Sequence, residues 1–362
     1  MPLVAHSTLP TFARLAAEGQ EVLSLERARH QDIRDLHFGL LNMMPDAALA
    51  PTERQFMRLL GSSNRITQLY VHPFALPQQA RGEAARAHIA AHYESFEQIR
   101  EQGLDGLIIT GANPRSADIT AEDFWQPLTE VLDWAREHVT STLCACLATH
   151  ATLLHFHGLQ RVPQPSKRWG VFSHRVADRS HPLVACLNTR FDVPHSRWNA
   201  IEREQMEAVG MDVLAASAEV GVHLAVSPDL LRFVYFQGHP EYDRNSLLKE
   251  YKREVSRYLS GELDDFPPQP ANYFSNAAKP LIADFRERAE RRRQPQLLDE
   301  FPEQSLLRCA DNTWGDSGRT VFGNWLGLVY QLTHRDRRLP FMDGIDPDDP
   351  LGLRGHLPQP GD

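Results

Sequence analysis

Leu104-Asp-Gly-Leu-Ile-Ile-Thr-Gly111 is too short for a helix and too continuously apolar for a strand with one wet face. A run of this kind fits a strand covered on both faces, as in the parallel sheet of an α/β domain. Residues 37–43, Ile66–Val71, Thr140–Cys146 and Leu231–Gln237 read as further strands. Pro51-Thr52-Glu53 opens a helix between them, with Phe56, Leu59 and Leu60 on one face and Arg54 and Arg58 outside it. Pro127–His138 and residues 149–157 have helical periodicity as well. Strands alternating with helices predict a doubly wound, mostly parallel sheet. Shorter β-type runs within 160–230 (Gly170–Ser173, Met211–Ala215, His223–Ala225) predict a small antiparallel excursion. Residues 266–310 are rich in Pro, Arg and Glu, and Asn324–Gln331 returns to a buried helical pattern, giving a C-terminal extension.

Composition excludes several classes. A chain of 362 residues, 42% hydrophobic and 23% charged, can bury a large core without disulfides or metals. No apolar run reaches the roughly 18–20 residues of a membrane helix. Glu18, Glu21 and Glu26 interrupt the first thirty residues, so no secretory signal is expected there. A net charge of −9 argues against a general nucleic-acid binder. The basic run Arg286–Arg293 is interleaved with Asp284, Glu287 and Glu290 and reads as a solvated helix face. Cys144, Cys146, Cys186 and Cys309 are too few and scattered for a disulfide framework, which points to a reducing cytoplasm. No metal site is expected, since His174 and His195 belong to no cluster of zinc-ligand spacing.

In doubly wound sheets reactive groups collect outside the carboxyl ends of the strands. Thr110-Gly111, Cys146 and His239 all fall there. Cys146 ends one apolar run and leads into a helical stretch, where the helix dipole and an imidazole lower a thiol pKa of about 8.5 by roughly a unit or more. The Leu147 backbone N–H is then an oxyanion donor. Cys144 lies on the same strand but short of its tip. Gly238-His-Pro-Glu241 follows the other run and supplies a base, His239, with a carboxylate, Glu241, to orient it. Cys146, His239 and Glu241 together form a candidate acyl-transfer site. Pro194-His-Ser-Arg197 is a polar cluster able to grip a carboxylate, and Arg253, about four helical turns beyond His239, is spaced to face the same cleft. Lys167, before Gly170, is a weaker candidate of the same kind.

The chain resembles the homoserine O-succinyltransferase family. The resemblance rests on Leu41-Asn-Met-Met-Pro45 with Thr52-Glu53 and Gln55-Phe56, on Asp105–Ala112, Phe124-Trp125, His138–Leu143 with Cys146, and Gly170-Val171. It continues through Pro194–Arg197, Gly238–Asp243, Asn272-Tyr-Phe274 and Asn324-Trp-Leu326, in family order over nearly the whole chain. It implies a class I glutamine amidotransferase-like fold with a flavodoxin-like core. It also implies a ping-pong reaction that carries an acyl group from succinyl-CoA to L-homoserine, in methionine biosynthesis. By motif it makes Cys146 the nucleophile, His239 the base and Glu241 its partner. Arg253 would bind the amino-acid carboxylate, with Lys167 and Ser196 also at the substrate. A homodimer is implied, with no bound cofactor and no nucleic-acid or membrane partner. The chain would then divide into an N-terminal arm (1–35), a catalytic domain (36–265), a C-terminal segment packing on it (266–339) and a flexible tail (340–362).

The sequence departs from the family pattern at several points. Asp46 and Ala47 stand where the family carries a lysine pair, and Asn113 stands where it has proline. Arg115 occupies a position tied to the choice of acyl group, where a guanidinium suits the free carboxylate of succinyl. The segment 276–308 has no family counterpart. Acetyl-CoA as donor and serine as acceptor remain open, as do two readings of another class. Amide hydrolysis expects a Gly-x-Cys-x-Gly turn, but Cys144 and Ala148 hold the glycine positions. A non-catalytic binding protein would not need Cys146, His239, Glu241 and Arg253 together.

Overall fold

A computed structural model describes residues 3–63 and 66–354. Its centre is one eleven-stranded sheet. In chain order the strands are β1 (Leu3–Ala5), β2 (Val22–Ser24), β3 (Asp35–Leu41), β4 (Gln68–Phe74), β5 (Gly106–Ile109), β6 (Ser141–Ala145), β7 (Val162–Val176), β8 (Arg190–Ala200), β9 (Asp212–Ser217), β10 (Gly221–Val226) and β11 (Phe233–Phe236). Their spatial order is β2-β1-β4-β3-β5-β6-β11-β10-β9-β7-β8. The first seven in that order run parallel; β10, β9, β7 and β8 continue the sheet with antiparallel pairings.

Side-chain alternation explains the two layers that cover the sheet. Along β11, Val234 and Phe236 enter one core with Leu143 and Ala145 of β6. Phe233 and Tyr235 enter the other, with Cys144. Ile108 of β5 belongs to the first core, and Leu107 and Ile109 to the second. All four residues of β5 are buried, as the apolar run from Leu104 predicts.

Three expectations need correction. The helix expected to open at Pro51 spans Asp46–Ser63, with Pro51 inside it. A proline there removes one intrahelical hydrogen bond. The first turns are anchored from outside instead, by Asn42 Nδ2 donating to the Leu49 carbonyl and Asp46 accepting from the Gly82 N–H. Arg54, expected outside the buried face, is buried, because Asp243 and Glu18 from remote segments pair with it. The antiparallel excursion is larger than expected: Gly170–Ser173 is the interior of fifteen-residue β7, whose hairpin partner is β8.

Within the expected N-terminal arm, β1 and β2 lie at one sheet edge. In the C-terminal stretch, Phe341 packs with Leu231 and Leu332. The expected flexible tail falls partly on 355–362, outside the described residues. Helices Ala278–Arg291 and Glu303–Arg308 pack with the Ser246–Leu259 helix around Tyr251, Phe285 and Leu306. Among the described residues no helix is long and apolar enough to cross a membrane.

Candidate active site

The site is built where β6 and β11 end side by side. Their parallel register pairs Tyr235 with Cys144 and Phe236 with Ala145, so Cys146 and the Gly238-His239 turn leave the same edge of adjacent strands. The Cys146 N–H donates to the Phe236 carbonyl (2.8 Å), and Thr149 Oγ1 bridges the carbonyls of Cys144 (2.8 Å) and Phe236 (2.9 Å). Cys146 itself has φ 52° and ψ −109°. A non-glycine residue there stores roughly 1–3 kcal/mol of backbone strain. The turn places Cys146 between the strand and the Leu147–His157 helix, at that helix's N-terminus. A Cβ at Gly111 would stand 3.4 Å from Cys146 Cβ, so the β5 loop forms a wall of the site. Cys144 is fully buried against Thr152, and burial pushes its thiol up to about 12.

His239 is anchored by its backbone, its N–H donating to the Pro194 carbonyl of β8 (2.8 Å). Its ring stacks on Tyr242 with centroids 4.3 Å apart. Nδ1 lies 2.7 Å from Glu241 Oε1, and the Cys146 sulfur is near enough to act electrostatically on the ring. Burial alone would lower the imidazole pKa, but the Glu241 carboxylate and the Cys146 sulfur outweigh it and hold it well above its ordinary value. Gly238 is required by its surroundings. A Cβ there would meet Val193 Cγ1 at 2.6 Å, His195 Nε2 at 2.8 Å and His223 Nδ1 at 2.9 Å. His174 and His195, which lack metal-ligand spacing in sequence, stack at 5.0 Å beneath this turn and donate or accept at 3.1 Å.

Cys146 opens into a cavity of about 780 Å³. Arg115, Lys167, Ser196 and Arg253 line it, so the predicted substrate-binding residues share one space with the cysteine. The guanidinium of Arg115 is exposed and has no ion-pair partner among the described residues, while its backbone N–H donates to Glu122 Oε1 (2.5 Å). Arg253 is likewise largely exposed, with Glu254 at 3.5 Å. Pro194–Arg197, which reads as a loop motif, lies within β8, and Trp169 of β7 pairs with Ser196 across the hairpin.

Sequence reasoning missed Glu250, which organises this wall. Its Oε2 accepts from Ser196 Oγ (2.6 Å) and Lys167 Nζ (3.2 Å), and its Oε1 from Tyr242 OH (2.7 Å). Burial raises its pKa, but Lys167 and these hydrogen bonds outweigh that and hold the carboxyl below its ordinary value. Its position three residues before Arg253 on one helix was the available signal. Arg161, which also lines the cavity, was missed as well, and Arg197 was read only as part of the Pro194–Arg197 cluster. Arg197 is buried, donating to His195 Nδ1 (3.2 Å) and the carbonyls of Asn199 (2.9 Å) and Val220. No carboxylate pairs with it among the described residues, and burial lowers its pKa to about 10. Five arginines and one lysine line the cavity against a single glutamate, so it favours anions.

The family model for homoserine O-succinyltransferase matches residues 2–335. The chain belongs to the homoserine O-succinyltransferase family. It is 59% identical over 354 residues to the homoserine O-succinyltransferase of Methylobacter tundripaludum, covering 98% of this chain and 100% of that protein. With the homoserine O-succinyltransferase of Methylococcus capsulatus it shares 60% identity over 354 residues, with the same coverage. Among solved structures it is similar to a glutamine amidotransferase from Methylobacillus flagellatus, with TM-score 0.44, 13% identity, and 82% of this chain and 95% of that one covered. The match runs through 276–308, so that segment is not an insertion relative to the family, contrary to the expectation from sequence, and the candidate site lies inside the matched region.

Proposed function

We propose that the protein transfers the succinyl group of succinyl-CoA to the hydroxyl of L-homoserine through a Cys146 acyl-enzyme, in methionine biosynthesis. The observation that carries this reading is the chain Cys146–His239–Glu241 beside an anion-favouring cavity, in a member of this family. The Cys146 sulfur attacks the thioester carbonyl, and the Leu147 N–H supports the oxyanion that forms. The carbon–sulfur bond to CoA breaks, and the departing sulfur takes the proton held on His239. Homoserine then enters; neutral His239 accepts its hydroxyl proton as the oxygen attacks the acyl carbon. Cys146 leaves as thiolate and the imidazolium is restored.

Glu241 holds the ring and stabilises the imidazolium. Arg253, Lys167 and Ser196 face the amino acid, with Glu250 setting the position of the latter two. Arg115 reads the free carboxylate of the succinyl group, which distinguishes it from acetyl. The reaction needs a reduced Cys146, which suits the cytoplasm, and the family resemblance suits a homodimer. No resident cofactor enters the reaction.

Two measurements test the proposal. Mass spectrometry after incubation with succinyl-CoA alone is expected to find one succinyl group on Cys146, and CoA release without acylation of that residue refutes the ping-pong path. A CoA-release assay crossing succinyl- and acetyl-CoA with homoserine and serine is expected to favour succinyl-CoA with homoserine. Preference for another pair refutes the named substrates while leaving the nucleophile in place.

A further inference from the structure

A second cluster of chemistry-bearing residues lies on β3, β4 and the chain just after β1, outside the residues assigned to acyl transfer. His37 of β3 and Tyr70 and His72 of β4 share one sheet face, since the register pairs His37 with Tyr70 and Gly39 with His72. Four side chains form a continuous row. Asp35 Oδ2 lies 3.2 Å from His37 Nε2, His37 Nδ1 lies 2.8 Å from His72 Nε2, and His72 Nδ1 lies 2.6 Å from Glu94 Oε1. The second oxygen of Glu94 accepts from Gln102 Nε2 (3.2 Å). Tyr70 stacks on His37 with centroids 4.6 Å apart. His6, which follows β1, stands over the row with its ring centroid 4.8 Å from that of His72.

The row has three contacts, and each sets two lone-pair-bearing heteroatoms against one another. Each contact therefore needs one hydrogen or one cation between its atoms. Two neutral imidazoles carry one N–H each, so one contact is left over. If His37 donates to Asp35 and His72 donates to His37, both ring orientations are satisfied and the lone pair of His72 Nδ1 faces Glu94. This is the arrangement of a metal-ligating histidine, whose other nitrogen donates to an acceptor that fixes its tautomer. His6 is prepared in the same sense. Its Nδ1 lies 3.1 Å from the Val4 carbonyl, and an N–H there leaves the lone pair on Nε2. One ligand atom each from His6, His72 and Glu94 lie within 4.8 Å of one another.

We propose that His6, His72 and Glu94 bind a divalent transition-metal ion of the zinc class. Two imidazoles and one carboxylate are a zinc-type donor set, with a fourth position for water. Ligand bonds of about 2.0–2.1 Å in a tetrahedron require neighbouring donors about 3.3 Å apart. Glu94, partly exposed, has room to withdraw from His72 by the difference. The role follows from where the ligands sit. Among the described residues β1 is three residues long and its register with β4 is the pair Leu3 and Leu69. A metal held by His6, His72 and Glu94 fastens that short strand to β4 and to the segment leading into the Phe96–Gln102 helix.

The test uses the full chain, stripped with chelator and titrated with Co²⁺, whose visible bands report tetrahedral ligation. One Co²⁺ per chain is expected, displaced by Zn²⁺, with a band of nitrogen and oxygen ligation and a raised Tm. His6→Ala and Glu94→Gln are each expected to weaken binding by about tenfold or more. Both retain acyl transfer and, without metal, the wild-type circular dichroism. Glu94→Gln, nearly isosteric, keeps the test valid should His6→Ala fold poorly. Absence of the band overturns the site. So does equal affinity in both variants, since the ion then lies elsewhere, and so does a sulfur-to-cobalt charge-transfer band, which places it on a cysteine. Metal-free protein that takes up no ion while nitrogen NMR shows His72 doubly protonated also overturns it, because the missing hydrogen is then a proton.

Discussion

Replacing Glu241 by Gln keeps the size of the side chain and an oxygen facing His239 Nδ1, but removes the charge 2.7 Å from the ring. A hydrogen bond to a charged group contributes about 1.5–3 kcal/mol and a neutral one about 1 kcal/mol, so the change costs roughly 0.5–2 kcal/mol. At about 1.4 kcal/mol per decade this is a loss of roughly 2- to 30-fold in kcat/KM. The same energy lowers the His239 pKa by about half a unit to one and a half units. The wild-type imidazole is held above its ordinary value, with Glu241 the largest of the raising influences. If His239 protonates the departing CoA sulfur as proposed, its imidazolium persists to higher pH in the wild type than in the variant. The assay is kcat/KM for succinyl-CoA measured from about pH 6 to about pH 10. The alkaline limb is expected to move to lower pH in Glu241→Gln. Stability follows with the same sign. The pair contributes fully below the unfolded value of about 6.5 and is lost as pH rises through the raised folded value, so the Tm deficit shrinks toward alkaline pH. An alkaline limb in the wild-type position refutes the role given to Glu241, even where the rate falls.

Cys146→Ala is expected to abolish both acylation and turnover, while Cys144→Ala retains most activity; CoA release by the Cys146 variant at the wild-type rate refutes the mechanism. Arg115→Gly should raise KM for succinyl-CoA by about tenfold while changing that for acetyl-CoA little, as befits one lost carboxylate contact. Equal effects on both donors remove Arg115 from donor choice. Gly238→Ala drives a methyl into Val193, His195 and His223, and overpacking of this kind costs about 1–3 kcal/mol. A Tm equal to wild type contradicts the close packing beneath the turn. Glu250→Gln leaves Lys167 without its carboxylate and should raise KM for homoserine more than for the donor, which a two-substrate rate matrix resolves.

The parallel strands were legible because burial on both faces favours apolar runs: β5 and β11 carry one, β6 does so after Ser141 and Thr142, and the carboxyl ends of β6 and β11 located Cys146 and His239. The β7–β8 hairpin was not. Gln164, Ser166, Lys167 and Arg168 interrupt β7 with polar residues that its hairpin position accommodates, so the periodicity stops short at Gly170. Pro51 misled for a related reason: the tertiary contacts of Asn42 and Asp46 hold a helical start that local propensity opposes. Glu250 stayed hidden because a single acid on an amphipathic helix carries no signal until Lys167, Ser196 and Tyr242 converge on it. His6, His72 and Glu94 come from three separate segments, beyond the reach of any spacing rule.

The charges around the cavity divide it into two halves. Lys167 is neutralised by Glu250, Arg253 and Arg257 lie against Glu254 at 3.5 and 2.8 Å, and Arg257 also meets Glu262 at 3.3 Å. Arg115, Arg161 and Arg197 have no carboxylate within ion-pair distance among the described residues. The first half is balanced, and a balanced wall of alternating charge suits a zwitterion, whose ammonium and carboxylate each find an opposite partner. The second half is cationic without compensation, and suits a ligand that brings several negative charges and nothing positive in return. Cys146 sits between the two, within electrostatic reach of Arg161 and Arg197 on one side and of Tyr242 on the other. On a chain of net charge −9, such a local reversal has to be built, because long-range repulsion would otherwise keep an acyl-CoA away. If the proposed transfer holds, a zwitterionic acceptor and a polyanionic donor would each approach Cys146 along the wall that matches its charge.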